Sequence, residues 1–497
     1  MLDSPAPARW PQRLQTPIVA LGLLALWLLA TLGLRPLLLP DEGRYASVAR
    51  EMLLGDAWVP TLNGLPFFHK PPLMYWLDVA AMSLVGVNAF AARFAPMLGG
   101  WMMGAALFFA LRRWHGARAA VIGLGVLATC PFFFVGGQYA NHDMLVGGLI
   151  TVAVLAFARA VDEPPTVSLR WLVAAWCACA LAMLAKGLIG VVLPALVIGP
   201  WLLVQGRWRQ TLALLHPLAL LAFLLIAAPW FVVMQLRYPG FFDYFVVEQH
   251  FRRFAQTNFN NVHPFWFFLV VLPAFTLPWS VWLPAAARRA ANEIRAHVGL
   301  CLWWIVAIVG FFSLPSSKLV GYVLPALAPW CVLLTLVIVG GRAWRWLMPA
   351  SALLCLGLVA AVAWKAPHSH RAAASTLAAQ MAPGDRVVML DEYFYDLPFY
   401  ARLTHPVLIA SDWADPDLPR HDNWRKELFD AARFDPARGR ELLWPIDRLD
   451  ELSCRPGAVW FVTDPGRTSR LQGLAGIARA YADAHTELWR AASRACP

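Results

Sequence analysis

Residues 187–234 read GLIGVVLPALVIGPWLLV, then QGRWRQ, then TLALLHPLALLAFLLIAAPWFVVM. Two apolar stretches, 187–204 and 211–234, are joined by six residues that carry Arg207 and Arg209. Each stretch is long enough to cross about 30 Å of hydrocarbon as a helix, and the joint between them is short and basic, as cytoplasmic connections are. Outward from this segment the pattern repeats. Comparable apolar runs lie near 17–39, 89–111, 119–135, 144–161, 171–185, 264–286, 298–314, 319–339 and 346–363. With the first two they predict eleven transmembrane helices, or about 11–13. The run at 17–39 is too long for a removable signal peptide and lacks a small-residue cleavage site, so it is expected to remain as a span.

Composition agrees. Of 497 residues, 59% are apolar and 14% charged, with a mean hydropathy of +0.56. A soluble domain carries about 25% charged residues, so a water-facing globule, a disordered chain and a disulfide scaffold are excluded. Twenty-five Trp and 29 Phe suit a chain that meets the boundary between hydrocarbon and headgroups.

The net charge of +11 would suggest a nucleic-acid partner in a soluble protein, but its distribution does not. Residues 1–364 hold 24 Lys and Arg against 12 acids, whereas residues 365–497 hold 17 against 18. Within the membrane part the excess follows alternate loops: Arg112, Arg113 and Arg118; Arg159 and Arg170; Arg207 and Arg209; Arg288, Arg289 and Arg295; Arg342 and Arg345. With Arg9 and Arg13 this makes 14 arginines against four acids on one side, which the positive-inside rule makes cytoplasmic. The expected organisation is an all-α polytopic membrane domain, 1–363, with its N-terminus inside and outer loops at 40–88 and 235–263. A small α/β domain, 364–497, then lies outside the cytoplasm. In that tail, strands are expected at Arg386–Leu390, Val407–Ala410 and Ala458–Thr463, with helices near 373–382 and 468–480. Six of the eight cysteines lie in or beside apolar spans as small hydrophobes, and only Cys454 and Cys496 are placed for a disulfide.

The polar residues of the membrane part gather on the outer side. Pro40-Asp41-Glu42-Gly43-Arg44-Tyr45 opens a stretch whose apolar residues recur at helical spacing through Leu54, which predicts a helix lying in the interface with one face in lipid. Asp41 at its start is either an N-cap or a chemical group. His69-Lys70-Pro71-Pro72 follows Phe67-Phe68, and the proline pair fixes the direction of Lys70; a snorkelling lysine among interfacial aromatics is the plainer alternative. Asn141-His142-Asp143-Met144 puts a carboxylate at the start of an apolar span, costly unless it caps or functions. Glu248-Gln249-His250-Phe251-Arg252-Arg253 interleaves charge with aromatics, as a solvated loop also would. Ser316-Ser317-Lys318-Leu319-Val320-Gly321-Tyr322 makes a tight turn of hydroxyls and a lysine, suited to an anionic headgroup. His69 and His250 lack regular ligand spacing, so no metal and no other cofactor is expected.

Taken in order, Asp41-Glu42-x-Arg44-Tyr45, His69-Lys70-Pro71-Pro72-Leu73-x-Tyr75-Trp76, Asn141-His142-Asp143-Met144, Lys186-Gly187 and Ser317-Lys318-Leu319-x-Gly321-Tyr322-x-Leu324-Pro325 resemble the polyprenyl-phosphate-sugar glycosyltransferases of the GT-C fold. Within them the chain looks like the aminoarabinose transferases of lipid A, which are related to the protein O-mannosyltransferases. The resemblance covers roughly residues 15–340. It implies a bacterial inner-membrane enzyme, expected to be monomeric, that takes a sugar from a polyprenyl (undecaprenyl) phosphate and passes it to a lipid or glycan acceptor such as lipid A on the periplasmic side. On that reading Arg44, Lys70, Arg252, Arg253, Lys318 and Tyr322 hold the donor phosphate. Asp41 and Asp143, with Glu42 as a weaker third, act on sugar and acceptor, and Tyr45, His69, His142 and His250 are substrate contacts. The family's aminoarabinose members are usually longer after the membrane part. The tail here has no glycine-rich phosphate loop and no nucleophile motif, so it is expected to cover the site or grip an acceptor. Transfer to a protein hydroxyl is the alternative activity. From another class, a flippase for the same lipid would carry its polar groups near the midplane in two related halves, a pattern this sequence lacks.

Overall fold

A computed structural model describes residues 15–252, 261–293, 295–365, 369–454, 456–471, 474 and 476–493. The chain divides into two compact units. One comprises 1–32, 96–229 and 263–361; the other gathers 33–95 and 230–262 with 362–497. A cut at Trp364 therefore does not separate them: the two long loops of the membrane part belong with the tail.

The first unit is helical. Among the described residues, seven helices of the chain are long and apolar enough to cross a membrane: Ala91–Ala128, His142–Ala160, Leu169–Lys186, Pro217–Arg237, Ala296–Ser313, Val320–Ile338 and Trp344–Lys365. The pair Phe267–Phe275 and Trp279–Asn292, bent by 108°, makes up to eight, and Pro17–Leu29 and Ile189–Val204 are shorter apolar helices. Every apolar run of the sequence thus contains helix, though that at 17–39 is α-helical only through Leu29. The runs at 89–111 and 119–135 share one helical stretch, Phe94–Ala128, broken at Gly116 with φ 84°. His142–Ala160 packs most closely with Leu169–Lys186. It also meets the preceding helix at glycine: a Cβ on Gly148 would collide with the backbone of Gly99, an approach only small residues allow.

The second unit is built around a six-stranded sheet. Its strands are β1 (Arg386–Leu390), β2 (Leu408–Ser411), β3 (Leu443–Pro445), β4 (Val459–Thr463), β5 (Ile477–Ala482) and β6 (Glu487–Ala491), in the order β3-β2-β1-β4-β6-β5. The first four are parallel, with Val388 opposite Leu408 on one side and Phe461 on the other. β6 adds antiparallel to β4, and β5 to β6. Residues 477–480, expected as helix, are strand. Asp483 explains it: its carboxylate accepts the N–H groups of His485 and Thr486, each at 2.8 Å, and closes a tight turn that folds β5 back on β6. Cys454 is disulfide-bonded, and Cys496 lies outside the described residues.

The first loop packs into the tail's core. Its helix runs Asp41–Leu54, the span expected, but the face expected in lipid is buried instead. Ala46, Val48, Ala49 and Met52 join the cluster formed by β1, β2 and β4. Polar contacts fix the register. Ser47 Oγ donates to the Tyr395 carbonyl at 2.8 Å. Asn63 donates to the Val407 carbonyl at 2.9 Å and accepts the Val407 N–H at 2.8 Å. The Tyr400 hydroxyl accepts the Leu37 N–H at 2.8 Å. Gly43 is needed here, since a Cβ would press on Leu39 and on the backbone of Asp396.

Candidate active site

In the helical unit the sequence candidates meet at the start of His142–Ala160. Asn141, in extended conformation, is the N-cap and accepts the Asp143 N–H at 2.9 Å. Its Nδ2 donates to Asp143 Oδ2 at 3.1 Å. Asp143 is thereby freed from capping and aims its carboxylate at Lys186, the last residue of Leu169–Lys186, with which it forms an ion pair. The Lys186 Nζ lies 4.7 Å from the centre of the Tyr322 ring, a cation–π distance. Gly321 completes the cluster, because a Cβ there would occupy the space of the Asp143 carboxylate. The pair is enclosed but reachable, with side-chain exposures of 14% for Lys186 and 7% for Asp143. His142 is buried beside it.

Lys318 faces another way. Its Nζ donates to the carbonyls of His263, at 2.9 Å, and of Pro315, and it is 2% exposed. These contacts make it a clasp across the outer turn.

In the sheet unit, Glu42 proves to be structural. Its Oε2 accepts from Arg35 at 2.5 Å, from Arg93 at 3.0 Å and from the Leu38 N–H at 2.7 Å, while its Oε1 accepts from Arg35 at 3.1 Å and from Arg93 at 2.8 Å. Burial alone would raise its pKa. The charges of Arg93 and Arg35, with the hydrogen bonds they donate, outweigh that and hold it at about 2. Both oxygens are filled and the side chain is fully buried, an arrangement that holds the fold.

Asp41, one residue earlier, is different. The helix N-cap is Pro40, without a side-chain bond, so Asp41 is no cap, and it is 34% exposed. It pairs with Arg44 at 3.0 Å. Arg44 also reaches Glu427 at 3.1 Å and lies 4.9 Å from the centre of the Tyr395 ring. The Tyr395 hydroxyl donates to Glu427 at 2.6 Å. Burial raises the pKa of Glu427, and Arg44 and the Tyr395 bond partly offset the rise. Tyr395 and Glu427 were not among the sequence candidates, nor were Arg35 and Arg93.

Tyr45 lies beside Tyr75, ring centres 6.3 Å apart. His69 stacks on Phe67 at 4.4 Å, with Tyr244 6.0 Å away. The Lys70 Nζ donates to the His69 carbonyl at 3.0 Å. Arg253 lies outside the described residues, and of His250 and Arg252 only the backbone, in Asp243–Arg252, is described. One group among the described residues has ligand atoms close enough for a metal: His115, Glu293 and His297, all within 4.8 Å of one another. The two His Nε2 atoms lie 3.0 Å apart, and Arg289 and Arg295 already hold Glu293.

This architecture has a solved counterpart. ArnT from Cupriavidus metallidurans, in its complex with undecaprenyl phosphate, superposes with a TM-score of 0.82 over 97% of this chain and 99% of that one, at 25% identity. The chain has the ArnT-type GT-C fold. An archaeal oligosaccharyltransferase, AglB from Archaeoglobus fulgidus, shares the fold more distantly, at 14% identity and a TM-score of 0.53, over 92% of this chain and 70% of AglB. In sequence, residues 69–233 match the family described as dolichyl-phosphate-mannose-protein mannosyltransferase. The undecaprenyl phosphate-alpha-4-amino-4-deoxy-L-arabinose arabinosyl transferase of Erwinia tasmaniensis is 36% identical over 317 residues, 62% of this chain and 57% of that protein. The enzyme of the same name from Pseudomonas aeruginosa is 34% identical over 331 residues, 65% of this chain and 59% of that one. The matched part of the chain therefore spans less than two thirds of the length of these relatives. Its long apolar helices make this chain a multi-pass membrane protein.

Proposed function

We propose that the protein is a membrane glycosyltransferase that moves a sugar from undecaprenyl phosphate to an envelope acceptor, lipid A foremost, at the periplasmic face of the bacterial inner membrane. The observation that carries this reading is the whole-length likeness to ArnT in complex with undecaprenyl phosphate. The arginine-rich loops support a cytoplasmic N-terminus and a periplasmic tail.

An acceptor oxygen attacks the anomeric carbon, the bond from that carbon to the phosphate oxygen breaks, and the electron pair leaves with the lipid phosphate. Catalysis must stabilise charge that grows on the departing phosphate. Lys186, beside Tyr322 and paired with Asp143, is a positioned cation for that role, because an ammonium has three donors and Asp143 uses one. Asp143 positions or deprotonates the acceptor. Arg44 and Lys70 supply further positive charge in the sheet unit, and Asp41 a second, more accessible carboxylate. Arg252 and Arg253, on the sequence alone, are further candidates for the phosphate. No cofactor is required by this chemistry.

Mass spectrometry of lipid A and envelope glycans from cells with and without the gene tests the reading. The loss of a fixed sugar mass from lipid A is the expected result. An unchanged lipid A with a change in protein-linked glycan instead identifies the hydroxyl-transferring alternative, which the match to the mannosyltransferase family favours.

A further inference from the structure

The parallel part of the tail's sheet runs outward from β1 through β2 to β3, then returns to place β4 on the other side of β1. Connections leaving β1 and β4 at their carboxyl ends thus diverge to opposite sides. Open α/β sheets form a crevice at such a reversal, and it is where they bind ligands. Here a cavity of about 550 Å³ occupies that position. Asp391 follows β1 directly, Ser411 ends β2, Arg467 and Arg470 follow β4, and Trp424 and Arg425 open the helix Trp424–Ala432.

The lining is organised. Ser411 Oγ donates to Asp391 Oδ1 at 3.0 Å, and Arg470 Nε stands 3.6 Å from Asp391 Oδ2. Arg467 donates to the Asp391 carbonyl, and Arg425 is held by Asp415 at 3.0 Å. Asp391 itself has φ +49°, a strained value for a non-glycine residue and one that recurs at functional sites. Each guanidinium has five N–H donors, and these contacts use one or two of them. Three arginines in one cavity favour a phosphate. Asp391 accepts hydroxyl hydrogens, and the indole of Trp424 offers a flat face for a sugar ring. The turn after β1 is Asp391-Glu392-Tyr393, without the glycines that let a backbone wrap a nucleotide pyrophosphate.

We propose that this crevice is a binding site for a phosphorylated saccharide, carried by the tail and separate from the Asp143–Lys186 centre. The proposal does not rest on the transferase reading, since its test measures binding alone. The full chain in lipid nanodiscs is titrated calorimetrically with glucosamine 1-phosphate, glucosamine and inorganic phosphate. Saturable binding of glucosamine 1-phosphate below about 1 mM is expected, with both fragments at least about tenfold weaker. Arg467→Gln with Arg470→Gln weakens it by about tenfold or more, and Arg448→Gln, an exposed arginine paired with Glu451 away from the cavity, leaves it unchanged. Should the double variant fail to fold, Arg425→Gln serves in its place. Lipid A placed in the nanodisc identifies the source: competition assigns the site to a lipid headgroup, and none assigns it to a free sugar phosphate. Absence of saturable binding, binding indifferent to both sets of arginine variants, or inorganic phosphate binding as tightly as the sugar phosphate overturns the proposal.

Discussion

Glu42 and Asp143 are both enclosed carboxylates facing cations, and they differ in what remains unspent. Around Glu42 two guanidiniums and a backbone N–H fill every useful direction of both oxygens. Asp143 has one ammonium and one amide, next to an aromatic ring and a glycine that keeps the space open. A saturated charge cluster holds a fold in place. A cation with donors to spare can take up charge that appears only during a reaction.

The comparison breaks most readily at Glu42. Glu42→Gln leaves two guanidiniums buried against a neutral amide, and removing one partner of such a cluster costs about 3–5 kcal/mol. The expected outcome is loss of folded protein on size-exclusion chromatography; a well-folded variant without activity would return Glu42 to the chemistry. The same carboxylate has a sign to check in acid. Its pKa is held at about 2 in the folded state against an ordinary 4.5, so its stabilisation is complete above about 4.5 and is lost as pH falls from there towards 2. Melting temperatures across that interval measure it.

Next in size is Asp143→Asn. The cap of the helix is Asn141, so the variant should fold and insert as the native chain does. Sugar transfer should fall by about 100-fold, about 2.7 kcal/mol in the barrier, as loss of a general base does. Transfer at a near-native rate would make the Asp143–Lys186 pair structural and turn attention to Asp41. Lys70→Ala should cost less, about tenfold in kcat/KM at limiting donor, because Arg44 remains. An unchanged rate would leave Lys70 an interfacial anchor.

A further test, of stability and not of turnover, concerns Glu51, which accepts the N–H groups of Asn63 and Gly64 at 2.7 and 2.8 Å. Burial raises its pKa to about 7 against those bonds. A pKa raised on folding stabilises below the unfolded value of 4.5, and that contribution is lost as pH rises through about 7. Melting temperature should therefore drift downward between pH 5 and 8, and Glu51→Gln should flatten the drift.

How much of this was legible in the sequence depends on the range of the signal. Hydrophobic runs are local, and each contains helix, the first only through Leu29. Between 89–111 and 119–135 the helical stretch is continuous but for Gly116, whose left-handed backbone breaks it where the two runs part. Asp143, Lys186 and Tyr322 announced themselves as polar groups at the ends of apolar spans, and they do meet. Arg35 and Arg93 did not, because an arginine near the end of an apolar run, 17–39 or 89–111, looks alike whether it snorkels to water or meets a carboxylate, which for Arg93 lies 51 residues away. Tyr395 is 351 residues from Arg44, too far for any spacing rule. The error at 477–480 has a local cause, since an alanine-rich segment favours helix until Asp483 turns it back.

The mutual bonds between Asn63 and Val407 also bear on how the protein is made. The two residues are 344 apart in sequence, and elongation at about 5–20 residues per second separates their synthesis by roughly 20–70 s. Through that interval the apolar face of helix Asp41–Leu54 has no tail to cover it. A ribosome that stalls before residues 365–497 leaves the helices before them with an adhesive outer loop, so the newborn chain needs a chaperone at that loop.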